Sequence, residues 1–171
     1  IPQWEKYCEV LQSWQQVRLI PNNRDIKVEI IYEQEIKQAD VGKDKCAAID
    51  LGLDNLATMV TDEECVIFSG KYLKSYNQYF NKTLSRLLSI KDKQGIKRST
   101  RRIIRLYDKR DRYFEDAFHK VSRQIVNILV AKKIGMLVVG YNVGWKQRTN
   151  MGKMNNQKFV QMPFARLTSY L

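Results

Sequence analysis

Cysteine is scarce in this chain of 171 residues: Cys8, Cys46 and Cys65 stand far apart with no CxxC spacing. They supply neither a disulfide frame nor a zinc site, and they fit reduced thiols in a cytosol. Histidine is scarcer still. The single one, His119, falls in a helical pattern beside Phe118, so hydrolysis by a Ser-His or Cys-His pair finds little support. No apolar run approaches the roughly 18 residues that a membrane-spanning helix needs. The opening Ile1-Pro2-Gln3-Trp4-Glu5-Lys6 lacks the charged-then-apolar order of a signal peptide. Acidic residues are few against basic ones, 18 to 30, which leaves a net charge of +12. That excess selects an anionic partner, nucleic acid ahead of a membrane surface. The hydrophobic content of 44% is enough for one cored domain with an appendage.

What is present is organised around residues 45–60. Residues 46–49 read as a buried strand that delivers Asp50, residues 52–55 as a tight turn, and residues 56–60 as the returning strand of a hairpin. An acid at the exit of a buried strand is costly unless it is paired or bound to metal. Two readings stand side by side: a turn-forming Asp, which is the commoner use of the residue, and a metal ligand.

Upstream, Trp4, Tyr7, Leu11 and Trp14 have helical spacing over residues 1–16. Residues 17–20 and 26–33 read as strands of a hairpin around a turn cluster, the second half-buried by its alternation. The polar stretch 34–44 reads as a linker, with a boundary near residue 44. Downstream, residues 64–69 give a third strand in meander order, and Asp62 and Glu63 are solvated turn acids.

From Ser75, an expected N-cap, the period changes to that of a helix. Tyr76, Phe80, Leu84, Leu87 and Leu88 share one face, and Tyr76, Tyr79 and Phe80 read as core. After a charged break at 91–100, a second helix is expected over about 100–133, stepping through Ile103, Tyr107, Phe114, Phe118, Val121, Ile125 and Ile128. The steps fail only at Arg110-Asp111. Such a helix spans about 50 Å at 1.5 Å per residue, and the pair forms a hairpin with a basic tip. Between Lys91 and Arg112 there are ten Lys or Arg against three Asp. A solvated helix face would mix its signs, so the bias favours phosphate contacts through Lys97, Arg98, Arg101, Arg102 and Arg105. Gly135 is placed as a left-handed helix cap. Residues 136–139 follow as a buried strand that returns parallel to an earlier one. The polar loop beyond it carries Lys146, Arg148 and Lys153 as further phosphate contacts, with Lys71 and Lys74 weaker ones. Trp145 is open to either reading, core packing or stacking on a base. Residues 159–171 close the chain as an amphipathic helix, with Phe164, Leu167 and Leu171 on one side.

Four stretches together resemble one family: Ala48-Ile49-Asp50-Leu51-Gly52-Leu53, Asn77-Gln78-Tyr79-Phe80-Asn81-Lys82, Gly144-Trp145-Lys146-Gln147 and Asn156-Gln157-Lys158-Phe159-Val160-Gln161. The chain is similar over about residues 17–171 to the TnpB (OrfB) proteins of bacterial insertion sequences, relatives of the type V CRISPR effector nucleases. The resemblance implies an α/β fold: an RNase H-like (RuvC-type) mixed sheet with a long inserted helical hairpin. Residues 1–44 would then be the tail of an oligonucleotide-binding β-barrel plus linker, and residues 45–171 a partial RuvC domain. It implies a transposon-encoded, RNA-guided DNA endonuclease in a prokaryotic cytoplasm, with DNA and a guide RNA as partners and no membrane. The chemistry implied is phosphodiester hydrolysis by two Mg²⁺ ions held by several carboxylates. Asp50 matches the first of these acids. The second, a Glu in the family, falls on Gly140, which has no ligand atom. A third acid and a zinc ribbon are expected beyond Leu171. The chain by itself is therefore expected not to cut DNA. The full-length protein would either take its missing Glu from a later segment or be a nuclease-dead, RNA-guided DNA-binding protein or repressor.

Overall fold

The computed structural model describes residues 14–21, 26–33, 35, 38–141 and 161–171. It divides into two units, Ile1–Ala39 and Asp40–Leu171. In the first, β1 (Trp14–Pro21) and β2 (Ile26–Tyr32) pair antiparallel, with Val17 opposite Ile30 and Leu19 opposite Val28. The helix expected through residue 16 gives way at Trp14, because Trp14 pairs across the ladder with Tyr32, an aromatic pair suited to a pleated surface. Its earlier residues, 1–13, lie outside the described ones. The alternation of β2 does not make it half-buried: Ile26 and Val28 are 66% and 56% exposed.

The second unit holds β3 (Gly42–Leu51), β4 (Asn55–Val60), β5 (Cys65–Ser69), α1 (Lys71–Lys93), α2 (Arg101–Ala131), β6 (Ile134–Gly140) and α3 (Phe164–Thr168). Its sheet has the order β5-β4-β3-β6. The first three strands form the antiparallel meander, and β6 returns parallel to β3 after the two helices. One face of the sheet carries Ala47, Ile49, Leu51, Ala57, Met59 and Phe68, all buried. These pack with Phe114, Phe118, Val121 and Ile125 of α2 in a single core, which Leu73, Met162, Phe164 and Leu167 complete. Side chains alternate across a strand, so the other face carries Val60, Ile67, Met136 and Val138, each 50–58% exposed. For that reason β6 is half-buried rather than buried as expected.

Three helix ends differ from the sequence expectation. α1 starts at Lys71 with Gly70 as its cap, so Ser75 lies inside it. Gly70 sits so close to β4 that a Cβ there would come within 2.5 Å of the Leu53 carbonyl oxygen, and glycine alone lets β5 pass directly into the helix. At the end of α2 the left-handed residue is Lys133, φ 54°, while Gly135 is already in β6. Its missing side chain admits the Gly42 carbonyl oxygen, 2.7 Å from where a Cβ would be. The closing helix is short, Phe164–Thr168; residues 159 and 160 lie outside the described ones and Gln161–Pro163 are not helical. The expected start of α2 matches: the Thr100 hydroxyl accepts a hydrogen bond from the Ile103 amide.

Candidate functional site

Asp50 is exposed, between buried Ile49 and Leu51 near the end of β3. Its side chain therefore lies on the face turned away from α2. Strand register sets its neighbours. Asp50 pairs with Thr58 of β4 on one side and with Gly140 of β6 on the other, and Thr58 pairs with Ile67 of β5. One row thus crosses all four strands: Ile67, Thr58, Asp50, Gly140. A Cβ built at Gly140 would stand 3.8 Å from Asp50 Oδ1 and 3.3 Å from the Ile49 carbonyl oxygen. Residue 140 is therefore the position from which a second side chain would reach the Asp50 carboxylate.

The described residues do not by themselves hold a pair of divalent ions. Among the described residues no three His, Cys, Asp or Glu cluster as a metal site would require. Asp62 and Glu63, read as solvated turn acids, are exposed. Glu63 bonds to Lys132 at 2.6 Å, and Lys132 also reaches Glu64 at 3.1 Å. Hydrogen bonding to Lys132 holds the Glu63 carboxyl below its ordinary range, and the same bonds hold the Lys132 ammonium above its own.

The hairpin tip is a second feature, built where α1 gives way to α2. Gly95 turns the chain with φ +65°. Lys97, Arg98, Arg101, Arg102 and Arg105 are all exposed, and no ion pair among the described residues engages any of them. α2 has no acid in its first turn, so arginines crowd the positive end of a helix dipole. That arrangement is unfavourable without an anion and favourable with one. Lys91 and Lys93 in the last turn of α1 add to it. Lys74 differs, being bound to Asp54 at 2.6 Å. Trp145, Lys146, Arg148 and Lys153 lie outside the described residues.

Arg110, the position where the apolar steps fail, is not a break. α2 runs through it, and the guanidinium lies over the rings of Phe114 and Phe80, at 4.6 and 5.2 Å. Its Nε donates to Asn77 Oδ1 at 2.8 Å, and Nη2 donates to the Gln161 carbonyl oxygen at 2.7 Å. Gln161 and Asn81 exchange two further side-chain bonds. Burial lowers the guanidinium pKa. A basic residue four before a phenylalanine in the buried stripe was the available signal. The aromatic residues also divide: Phe80 is buried, Tyr76 is half-buried, and Tyr79 is 55% exposed rather than core.

Fold and face together define a class, a mixed α/β unit with a four-stranded mixed sheet and paired helices. The chain is similar to the protein in a cryo-EM structure of a Cas12f1–sgRNA–target DNA complex, with TM-score 0.52 and 15% identity over 84% of this chain and 34% of that one. It is similar also to that in a CRISPR–Cas12f ternary complex, with TM-score 0.57 and 14% identity over 98% of this chain and 35% of that one. It thus spans about a third of the length of these proteins. No curated protein matches it in sequence. The family described as OrfB_IS605, probable transposase, matches residues 29–146, and the chain belongs to it. Among the described residues no helix is long and apolar enough to cross a membrane.

Proposed function

We propose that this chain is the part of an RNA-guided DNA endonuclease of a mobile element that grips a nucleic-acid duplex through the α1–α2 tip. In this reading the sheet is the RNase H-like core of a RuvC-type domain, the hairpin is its insertion, and β1–β2 belong to a β-barrel. Asp50 is one metal ligand of an incomplete set. The observation that carries the reading is the register of Asp50 with Gly140, which puts an acid on a central strand beside a position that lacks its partner. The similarity to the Cas12f–sgRNA–target DNA complex supports a guide–target duplex, and the unpaired cations of the tip suit a backbone read by charge and shape rather than by sequence. The same register favours a second reading, in which the full-length protein binds DNA under RNA guidance without cutting.

The test measures binding and cleavage together. A labelled RNA–DNA heteroduplex should bind the chain with a strong salt dependence and remain intact in Mg²⁺. Changing Lys97, Arg98, Arg101, Arg102 and Arg105 to Ala should weaken binding and flatten the log K against log salt slope by about 0.9 for each phosphate no longer neutralised. An unchanged slope would remove the tip from the interface. Mg²⁺-dependent cleavage that disappears in Asp50→Asn would show that the chain needs no second acid.

A further inference from the structure

One flank of the helical hairpin carries four tyrosines, of which Tyr76 alone packs against the core. Tyr72, Tyr76 and Tyr79 follow one another at steps of four and three along α1, so they share a stripe. Tyr113 of α2 meets that stripe: its ring stacks on Tyr76 at 4.1 Å and 16°, and meets Tyr72 edge-on at 6.4 Å. Tyr79 lies 6.1 Å from Tyr76. Structural aromatics would be covered. These are not: Tyr72, Tyr79 and Tyr113 are 41%, 55% and 38% exposed. The Tyr76 hydroxyl is buried and has no hydrogen-bond partner among the described residues, although a buried hydroxyl ordinarily finds one.

The same helical stripes continue from the tyrosines toward the tip. On α1 the steps of three and four beyond Tyr79 reach Thr83 and Arg86, and on α2 the steps back from Tyr113 reach Lys109 and then Arg105 and Arg102. None of these four cations is in an ion pair among the described residues. An aromatic row that runs into a row of free cations has the two halves needed to hold an unpaired strand: rings on which bases stack and charges that follow the phosphates. A duplex offers no exposed base faces to such a row, and an apolar protein partner has no use for the cations.

We propose that the Tyr72–Tyr76–Tyr79–Tyr113 flank is a stacking platform for two or three unpaired nucleotides, whose backbone leads on to Arg86, Lys109, Arg102 and Arg105. The inference rests on the nucleic-acid reading of the tip and adds to it a single-stranded segment next to the gripped duplex.

Fluorescence anisotropy with the full chain tests it, using three labelled probes of equal phosphate count: oligothymidylate, an abasic oligomer and a duplex. The wild type should bind oligothymidylate more tightly than the abasic strand. Tyr79→Leu and Tyr72→Leu, which keep apolar bulk but lose the ring, should each cost about tenfold on oligothymidylate, within the usual range for one base stack. Neither should alter the abasic strand, the duplex or the salt slope, and Tyr79→Phe should restore affinity. Equal losses on all three probes would reduce the tyrosines to a structural role and overturn the platform. So would no loss on any, and either result leaves the tip reading intact if the five-alanine variant still loses duplex affinity. A wild type that binds none of the probes overturns both.

Discussion

Arg110 shows how one residue joins three segments of this chain. It ties α1 through Asn77, α2 through its own backbone, and the segment ahead of α3 through the Gln161 carbonyl. Its side chain is only 14% exposed, so removing it leaves two acceptors without their donor. Arg110→Met should destabilise the protein by about 2–4 kcal/mol, with urea unfolding as the measure, more than the surface change Arg105→Met. Phe114, fully buried under the same guanidinium, should cost about 3–5 kcal/mol on change to Ala. Lys133 gives the opposite sign. It holds a left-handed φ of 54°, which a side chain resists, so Lys133→Gly should raise stability by about 0.5–1 kcal/mol. That gain is net of a surface ion pair to Asp40 of little worth.

Between elements, register is what matters most. Because β6 lies parallel to β3 with Gly140 beside Asp50, Gly140→Glu should bring a second carboxylate to the first. The Ile49 carbonyl oxygen, 3.3 Å from the new Cβ, must give slightly. The variant should melt a few degrees higher in millimolar Mn²⁺, about what a ligand well above its Kd confers. Gly140→Glu combined with Asp50→Asn should lose the gain. A second contact between elements sets a pH dependence. Lys132, just past α2, holds Glu63 and Glu64 beside the β4–β5 turn. The Glu63 pKa is lowered from 4.5; stability from the pair is therefore present above that value and fades as pH falls through the folded one. The Lys132 pKa is raised from 10.5, so the contribution is likewise lost as pH rises through its folded value. Between about pH 5 and pH 3 the urea midpoint of the wild type should fall more than that of Lys132→Met.

Across the whole molecule, a net charge of +12 makes association an ionic-strength effect as much as a matter of contacts. With about six phosphates engaged, affinity for a duplex should fall on the order of a thousandfold between 50 and 200 mM salt. Titrations at several salt concentrations measure this directly. A fall of only a few-fold would mean that the tip meets few phosphates and that the excess charge serves solubility.

Periodicity and composition alone establish the meander, both long helices and the concentration of charge at the tip. Each is a local signal: alternation, a step of three or four, a run of one sign. The sequence also put Asp50 at the end of a strand and, through the family resemblance, pointed to Gly140 as an absence. Only the tertiary structure decided that the two stand side by side, because pairing between residues ninety positions apart leaves no mark on periodicity. It decided too that Arg110 is covered and Tyr79 is not, since a helical stripe tells which residues align but not what lies against them. The start of α1 differs from the expected one for a related reason. Ser75 has the chemistry of a cap, but Gly70 has the room, and only the packed strand beside it shows where room was needed.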